Sequence, residues 1–261
     1  KDHQTMKTRY AFLLVATCFG AATNAQLVGF YNVGGDFASY DNLTEAFDDL
    51  MAQGANGDVT FIFENGTYTG QASLGTIPGN PGMITVRSGT NNAADVILEF
   101  DAAFPLPNHI IELDGSANVK FEDVTFHALN EDRARIIHFT GNTDNLKLWD
   151  CVFIGSQSAN TSSYFDRALV YCDQNVINVP ENPDYLSIIG CEFRYGYEAI
   201  ELNACPAGGA RALGVFIAEN TFIDQLGTGV YIQNAVGEFS SNRVTTKVGN
   251  GYVGLRTAYF D

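Results

Sequence analysis

Along the middle of the chain, apolar side chains return at every second position, in runs too short for a helix and too regular for a loop. "NVKFEDVTF" (118–126), "NLKLWDCVF" (145–153) and "YLSIIGCEF" (185–193) share one outline that closes on a phenylalanine. With Phe126, Phe153, Phe193, Phe222 and Val244 set in one column, Phe121, Leu148, Ile188, Ile217 and Phe239 fall in register five positions earlier. Val119, Leu146, Leu186, Val215 and Gly237 do so seven positions earlier. Inward positions at period two are the mark of a half-buried strand. Ahead of each segment stands a second short apolar run: "HIIEL" (109–113), "RIIHF" (135–139), "RALVY" (167–171), "EAIEL" (198–202), "TGVYI" (228–232) and "GYVGL" (251–255). Turn formers such as "DGSAN" and "TGNTDN" lie between the two strands.

The closing residues are 22 to 40 positions apart, because insertions such as "SQSANTSSYFD" (156–166) and "QNVINVPENPD" (174–184) enter at turns. An irregular period on a regular strand lattice predicts a solenoid, in which each coil buries its inward side chains only by stacking on its neighbour. Leucine-rich repeats would need recurring Leu and Asn at a tighter period, and helical repeats a 3.6-residue pattern; neither is present. The expected fold is all-β, a right-handed parallel β-helix with strands stacked about 4.8 Å apart.

Two positions before each closing residue the column reads Val124, Cys151, Cys191, Asn220 and Asn242, an inward ladder beside a turn. Cys151 and Cys191 read there as small ladder residues. A disulfide between them is the rival, since stacked Cα atoms at strand spacing fall within disulfide range. With Cys172 and Cys205 they make four cysteines after the leader, and their pairing stays open.

Before the coils, "SYDNLTEAFDDLMAQGANGDVTFIF" predicts an amphipathic helix over about residues 40–54 and then a strand. Asn42 and Glu45 have the spacing of a capping box, Leu43, Ala46, Phe47, Leu50 and Met51 form one apolar stripe, and Gly54 ends the helix. Laid over the first coil, such a helix plugs an otherwise open core, with coils running from about residue 58 to 261.

This front segment, "DNLTEAFDDLMAQGANGDVTFIFENGTYTG", with "ITVRSGTNNAADVILEF" and "VKFEDVTF" behind it, resembles the amino-terminal part of secreted bacterial right-handed parallel β-helix proteins of the pectin lyase-like superfamily. The resemblance covers roughly residues 30 to 261. It implies fold and an exported location. Such proteins include polysaccharide lyases and hydrolases as well as large surface or adhesin-like proteins.

Residues 6–25, "MKTRYAFLLVATCFGAATNA", join a basic start (Lys7, Arg9) to an apolar run and a small-residue end, the build of a cleaved secretory signal. Residues 1–5 read as upstream sequence, leaving 26–261 as one domain that is secreted or held at the cell surface. No later run reaches the ~20 apolar residues of a membrane span. Of the 14 basic and 30 acidic residues, 11 and 29 lie beyond position 25, a net charge of −18 for that part of the chain. Nucleic acid is excluded as a partner, because phosphate contacts need clustered Lys and Arg. An acidic polymer would need Ca²⁺ to bridge like charges. The chain stops inside an apparent sixth coil, so it reads as a fragment whose open carboxyl-terminal coil offers a surface for self-association.

Candidate chemistry is sparse. Asp123, Asp150 and Glu219 share the column three before the closing residue and could hold Ca²⁺, and Arg194 is the basic group assigned to them. Asp is equally the ordinary turn residue. "NTD" (142–144) matches one element of the polygalacturonase signature and lacks its companions. His109, His127 and His138 read as exposed strand positions. Trp149, Tyr195, Tyr197 and Tyr231 are candidates for stacking on sugar rings. The sequence thus favours a non-catalytic exported module binding glycans or other surfaces, with a polysaccharide lyase or glycoside hydrolase acting on acidic polysaccharide as the alternative. What separates them is whether carboxylates and basic groups converge on one groove.

Overall fold

The computed structural model describes residues 26–158, 165–172, 183–203, 211–245 and 253–260. The expected leader at 1–25 and Cys205 lie outside them. The chain winds through three parallel sheet faces in a fixed order. Face A holds the strands Ala72–Leu74, Ile111–Leu113, Ile137–Phe139, Ala168–Cys172, Glu198–Asn203 and Val253–Phe260. Face B holds Leu27–Val33, Ala55–Phe63, Gly79–Ser88, Val119–Glu122, Lys147–Trp149, Ser187–Ile189 and Ala212–Ala218. The long strand Thr228–Ser240 turns the corner without a break, pairing first on face A with Glu198–Asn203 and then on face B with Ala212–Ala218. Face C holds Gly66–Thr69, Val96–Phe100, Thr125–Ala128, Val152–Ile154, Glu192–Arg194, Thr221–Ile223 and Arg243–Thr245. The architecture is a parallel β-helix, and parallel crossovers of this kind are right-handed with rare exceptions.

The columns of the sequence are the registers of the sheets. Phe126 stacks on Phe153, Phe153 on Phe193, Phe193 on Phe222 and Phe222 on Val244. Phe121, Leu148, Ile188, Ile217 and Phe239 stack in the same order on face B. Phe153 and Phe193 lie nearly parallel, with ring centroids 4.6 Å apart. Phe126, Phe153, Phe193 and Phe222 are fully buried, and burial of that size contributes about 1.5–3 kcal/mol per side chain.

The helix Leu43–Gln53 begins at Asn42, whose side chain accepts from the Glu45 amide at 3.0 Å. Glu45 reaches back to the Asp41 amide, one residue beyond the position a capping box uses. Leu43, Ala46, Phe47 and Leu50 are buried and Met51 half-buried. In chain order the helix takes the place of a face A strand and packs on Ala72–Leu74. The winding starts earlier than residue 58: Leu27–Val33 precedes the helix and pairs with Ala55–Phe63. Its pattern was illegible because its outward positions, Val28 and Phe30, are apolar and exposed.

Candidate functional site

The corner between faces B and C is two residues long, and its first position has a left-handed backbone. Asp123, Asp150, Gly190, Glu219 and Ser241 occupy it with φ of 54°, 52°, 67°, 60° and 55°. Asp and Gly are residues that tolerate this left-handed conformation, so backbone geometry accounts for the acidic column. Burial, then Glu122 and Asp150, raises the Asp123 pKa; burial, then Glu122 and Glu219, raises that of Asp150. The cations near Asp123 are Arg87 and Lys120. Arg194 is instead on face C, between Ile154 and Ile223, and its guanidinium is bonded to Glu192. Asp123, Asp150 and Glu219 thus line one corner, and Arg194 stands apart from them.

The candidate stacking aromatics are also dispersed. Trp149 lies on face B, donating to Ser187 Oγ at 3.1 Å, with the Lys120 and Lys147 ammonium groups 5.2 and 5.3 Å from its ring. Tyr195 sits in the turn after a face C strand with φ 62°, Tyr197 two residues on, and Tyr231 on face A. Thr143 is buried in its turn, its hydroxyl donating to the Leu113 carbonyl at 3.3 Å. The Cys151 and Cys191 thiols are free.

Chemistry converges elsewhere, on the outer side of face A. There the outward residues of successive strands stack in one row: Ser73 on Glu112, Glu112 on His138, His138 on Tyr171, Tyr171 on Glu201, Glu201 on Tyr231 and Tyr231 on Arg256. His109, Arg135 and Glu198 flank it at the strand entrances. The imidazoles are not the exposed groups expected: His109 is 5% exposed and His138 half-buried, as is His127 on face C. Tyr171 and Glu201 are 3% and 1% exposed, so the middle of the row is sealed while Glu112, His138 and Tyr231 remain open to solvent in part.

Contacts along the row are close. His138 lies 6.1 Å from His109 and 5.6 Å from Tyr171, centroid to centroid. The Arg135 guanidinium is 3.8 Å from the Tyr171 ring centre and 3.6 Å from Asp166, which also accepts from Asn108. Ser73 donates to Glu112 at 3.1 Å, and Tyr231 to Gln233 at 3.0 Å. Burial holds the His109 imidazole below its ordinary pKa; Glu112 opposes the shift and Arg135 adds to it. Burial raises the pKa of Glu198, against the pull of its hydrogen bond with Glu201 and of Arg256. Among the described residues, His109, Glu112 and His138 present ligand atoms within 4.8 Å of one another and could hold a metal.

No protein-family model and no curated protein matches the chain. Among solved structures, the pectin methylesterase from Aspergillus niger in deglycosylated form aligns with 90% of this chain and 88% of its own, at 13% identity and a TM-score of 0.47. The same enzyme with an N-acetylglucosamine stub retained covers 91% of both chains, at 12% identity and a TM-score of 0.46. The likeness is one of general architecture, and nothing about activity follows from it.

Proposed function

We propose that this chain is an exported enzyme that cleaves a uronate-containing polysaccharide, with the outer row of face A as its active face. The observation that carries this is the row itself. Carboxylates, imidazoles, a phenol and a guanidinium are packed together, partly or wholly out of water, on the outward side of a sheet. Desolvating ionisable groups is costly. A stalk has no use for that expense, and a surface that merely stacks on sugars needs aromatics and solvated polar groups. Groups with shifted titration gathered at one place are what acid–base chemistry requires. The enzymatic alternative therefore replaces the non-catalytic reading that the sequence favours.

Elimination suits the row better than hydrolysis. Two-carboxylate hydrolysis needs carboxyl groups about 5–5.5 or 6.5–9.5 Å apart. Glu198 and Glu201, the buried pair, are hydrogen-bonded to each other and so stand too close. In elimination a base removes the proton from the carbon next to the uronate carboxyl, the bond to the leaving glycosidic oxygen breaks, and that oxygen takes a proton, leaving a carbon–carbon double bond. Arg256, exposed and 5.1 Å from the Tyr231 ring, supplies positive charge for the carboxylate. The half-buried Tyr231 is the group the polymer reaches to give up its proton and to protonate the leaving oxygen, with the sealed Glu201 next to it in register. The half-buried Glu112 and His138 mark where the polymer meets the protein.

Incubation with pectate, alginate and other uronate polymers, read both as unsaturated-uronate absorbance and as new reducing ends, tests the reading. The two signals are expected to rise together. Reducing ends without absorbance would mean hydrolysis, and neither signal from any uronate polymer would return the chain to a non-catalytic role.

A further inference from the structure

The row on face A starts with two imidazoles and a carboxylate arranged like metal ligands. Glu112 is the outward residue of Ile111–Leu113, His138 is stacked on it from the next strand, and His109 lies two residues ahead of the first strand. We propose that His109, Glu112 and His138 form a site for a divalent transition metal of the zinc class, with an open coordination position toward solvent.

The donor set argues for this class. Two imidazole nitrogens and one carboxylate oxygen with an open fourth position suit zinc, whereas Ca²⁺ takes six to eight oxygens. The three ligand atoms lie within 4.8 Å of one another. Tetrahedral bonds of about 2.0–2.1 Å place ligand atoms about 3.4 Å apart, so side-chain rotation has little distance to close. Two of the ligands stand on adjacent hydrogen-bonded strands, and the backbone of the third is tied down by Gln71, which donates to the His109 carbonyl at 2.8 Å. A site on rigid elements needs little ordering on binding.

The surroundings fit as well. Ser73 donates to Glu112 at 3.1 Å, the kind of outer contact that orients a ligating carboxylate. The nearest cation, Arg135, is engaged by Asp166 and by the Tyr171 ring. Glu112 and His138 are half-buried, so the open position is reachable from outside. What the metal does there rests on the reading of face A as the active face: it would take a carboxylate oxygen of the polymer. Binding of the metal itself does not depend on that reading.

The test uses the full chain, freed of metal by dialysis against chelator. It is titrated with Zn²⁺ by calorimetry and with Co²⁺ by visible absorption, which reports coordination geometry. One equivalent of each is expected, with a four-coordinate cobalt spectrum. Glu112→Gln and His138→Ala should each weaken binding by more than the about 10–100-fold that an outer-contact change such as Ser73→Ala costs. Circular dichroism of the metal-free variants confirms folding, and Glu112→Gln, half-exposed and nearly isosteric, serves if the histidine variant fails to fold. Absence of saturable binding, or binding indifferent to Glu112→Gln, overturns the site. Saturable binding without cleavage of any polymer would keep the site and remove the enzyme reading; cleavage without binding would do the reverse.

Discussion

At the corner between faces B and C, a thiol takes over the work that asparagine amides do in the following coils. Asn242 Nδ2 donates to the Ile217 carbonyl and Asn220 Nδ2 to that of Ile188, each at 2.8 Å, while Cys191 Sγ donates to the Leu148 carbonyl at 3.2 Å. Leu148, Ile188 and Ile217 are one column, so the ladder continues with its donor changed. Cysteine fits because it is small, apolar enough for the core and still a weak donor. Asn220 also accepts from the Cys191 amide at 2.9 Å, a bond no cysteine replaces. Asn220→Ala should therefore cost about 3 kcal/mol and Cys191→Ala about 1 kcal/mol in urea unfolding, and the opposite order would break the ladder account. Labelling of the unfolded, unreduced protein should find both ladder thiols free; protection until reductant is added would contradict the structure.

Glu198 carries a second residue-scale prediction. Its folded pKa is raised, chiefly by burial, above the unfolded value of about 4.3. The folded state thus holds the proton longer than the unfolded one, and stability is lost as pH rises from the unfolded pKa through the folded pKa. Glu198→Gln removes that loss. The variant should match the parent near pH 4 and exceed it in melting temperature at pH 8; an equal gap at both pH values would mean that the carboxyl titrates normally.

At the scale of elements, strand order was readable because each strand carries its own inward register, and adjacent coils repeat it. The Phe126 to Phe222 column and the preceding face B columns needed only alternation and alignment. The site was less readable, for a reason that lies in the same strands. Taken singly, Glu112 in "HIIEL", His138 in "RIIHF" and Glu201 in "EAIEL" look like the solvated side of a half-buried strand. Only when the strands are stacked do these positions become one row, and burial of Tyr171 and Glu201 depends on what covers the sheet, which alternation does not encode. The outward positions form the row only when they are compared from coil to coil, as the inward columns are. The corner acids showed the converse: a repeated Asp at a turn is explained by its φ near +55°. The cap helix was fully legible from its stripe, and its energetics are testable. Phe47 is completely buried and meets Phe61 edge-on at 6.3 Å. Phe47→Ala should cost about 3–5 kcal/mol in denaturant unfolding, whereas Asn42→Ala, which loses only the cap, should cost about 1 kcal/mol. Equal effects would mean that the helix is not part of the core.

For the molecule as a whole, the β-helix presents three long walls that differ in what each does with charge. On face B, the half-buried Lys120, Lys147 and Trp149 sit together; the B–C corner lines up acids for backbone reasons; face A packs ionisable groups against one another. If face A is the active wall, activity must follow its residues and ignore the corner. The direct measurement is the rate of unsaturated-uronate release from a responsive polymer by the parent chain, by Tyr231→Phe, and by an Asp123→Asn, Asp150→Asn double variant. The double variant keeps residues that tolerate positive φ, and Tyr231→Phe removes only a hydroxyl. A fall of about 100-fold or more is expected in Tyr231→Phe, the scale of a lost proton-transfer group, with the corner variant close to the parent. Loss of activity in the corner variant with Tyr231→Phe unaffected, or no release by the parent chain from any uronate polymer, would contradict the assignment of face A.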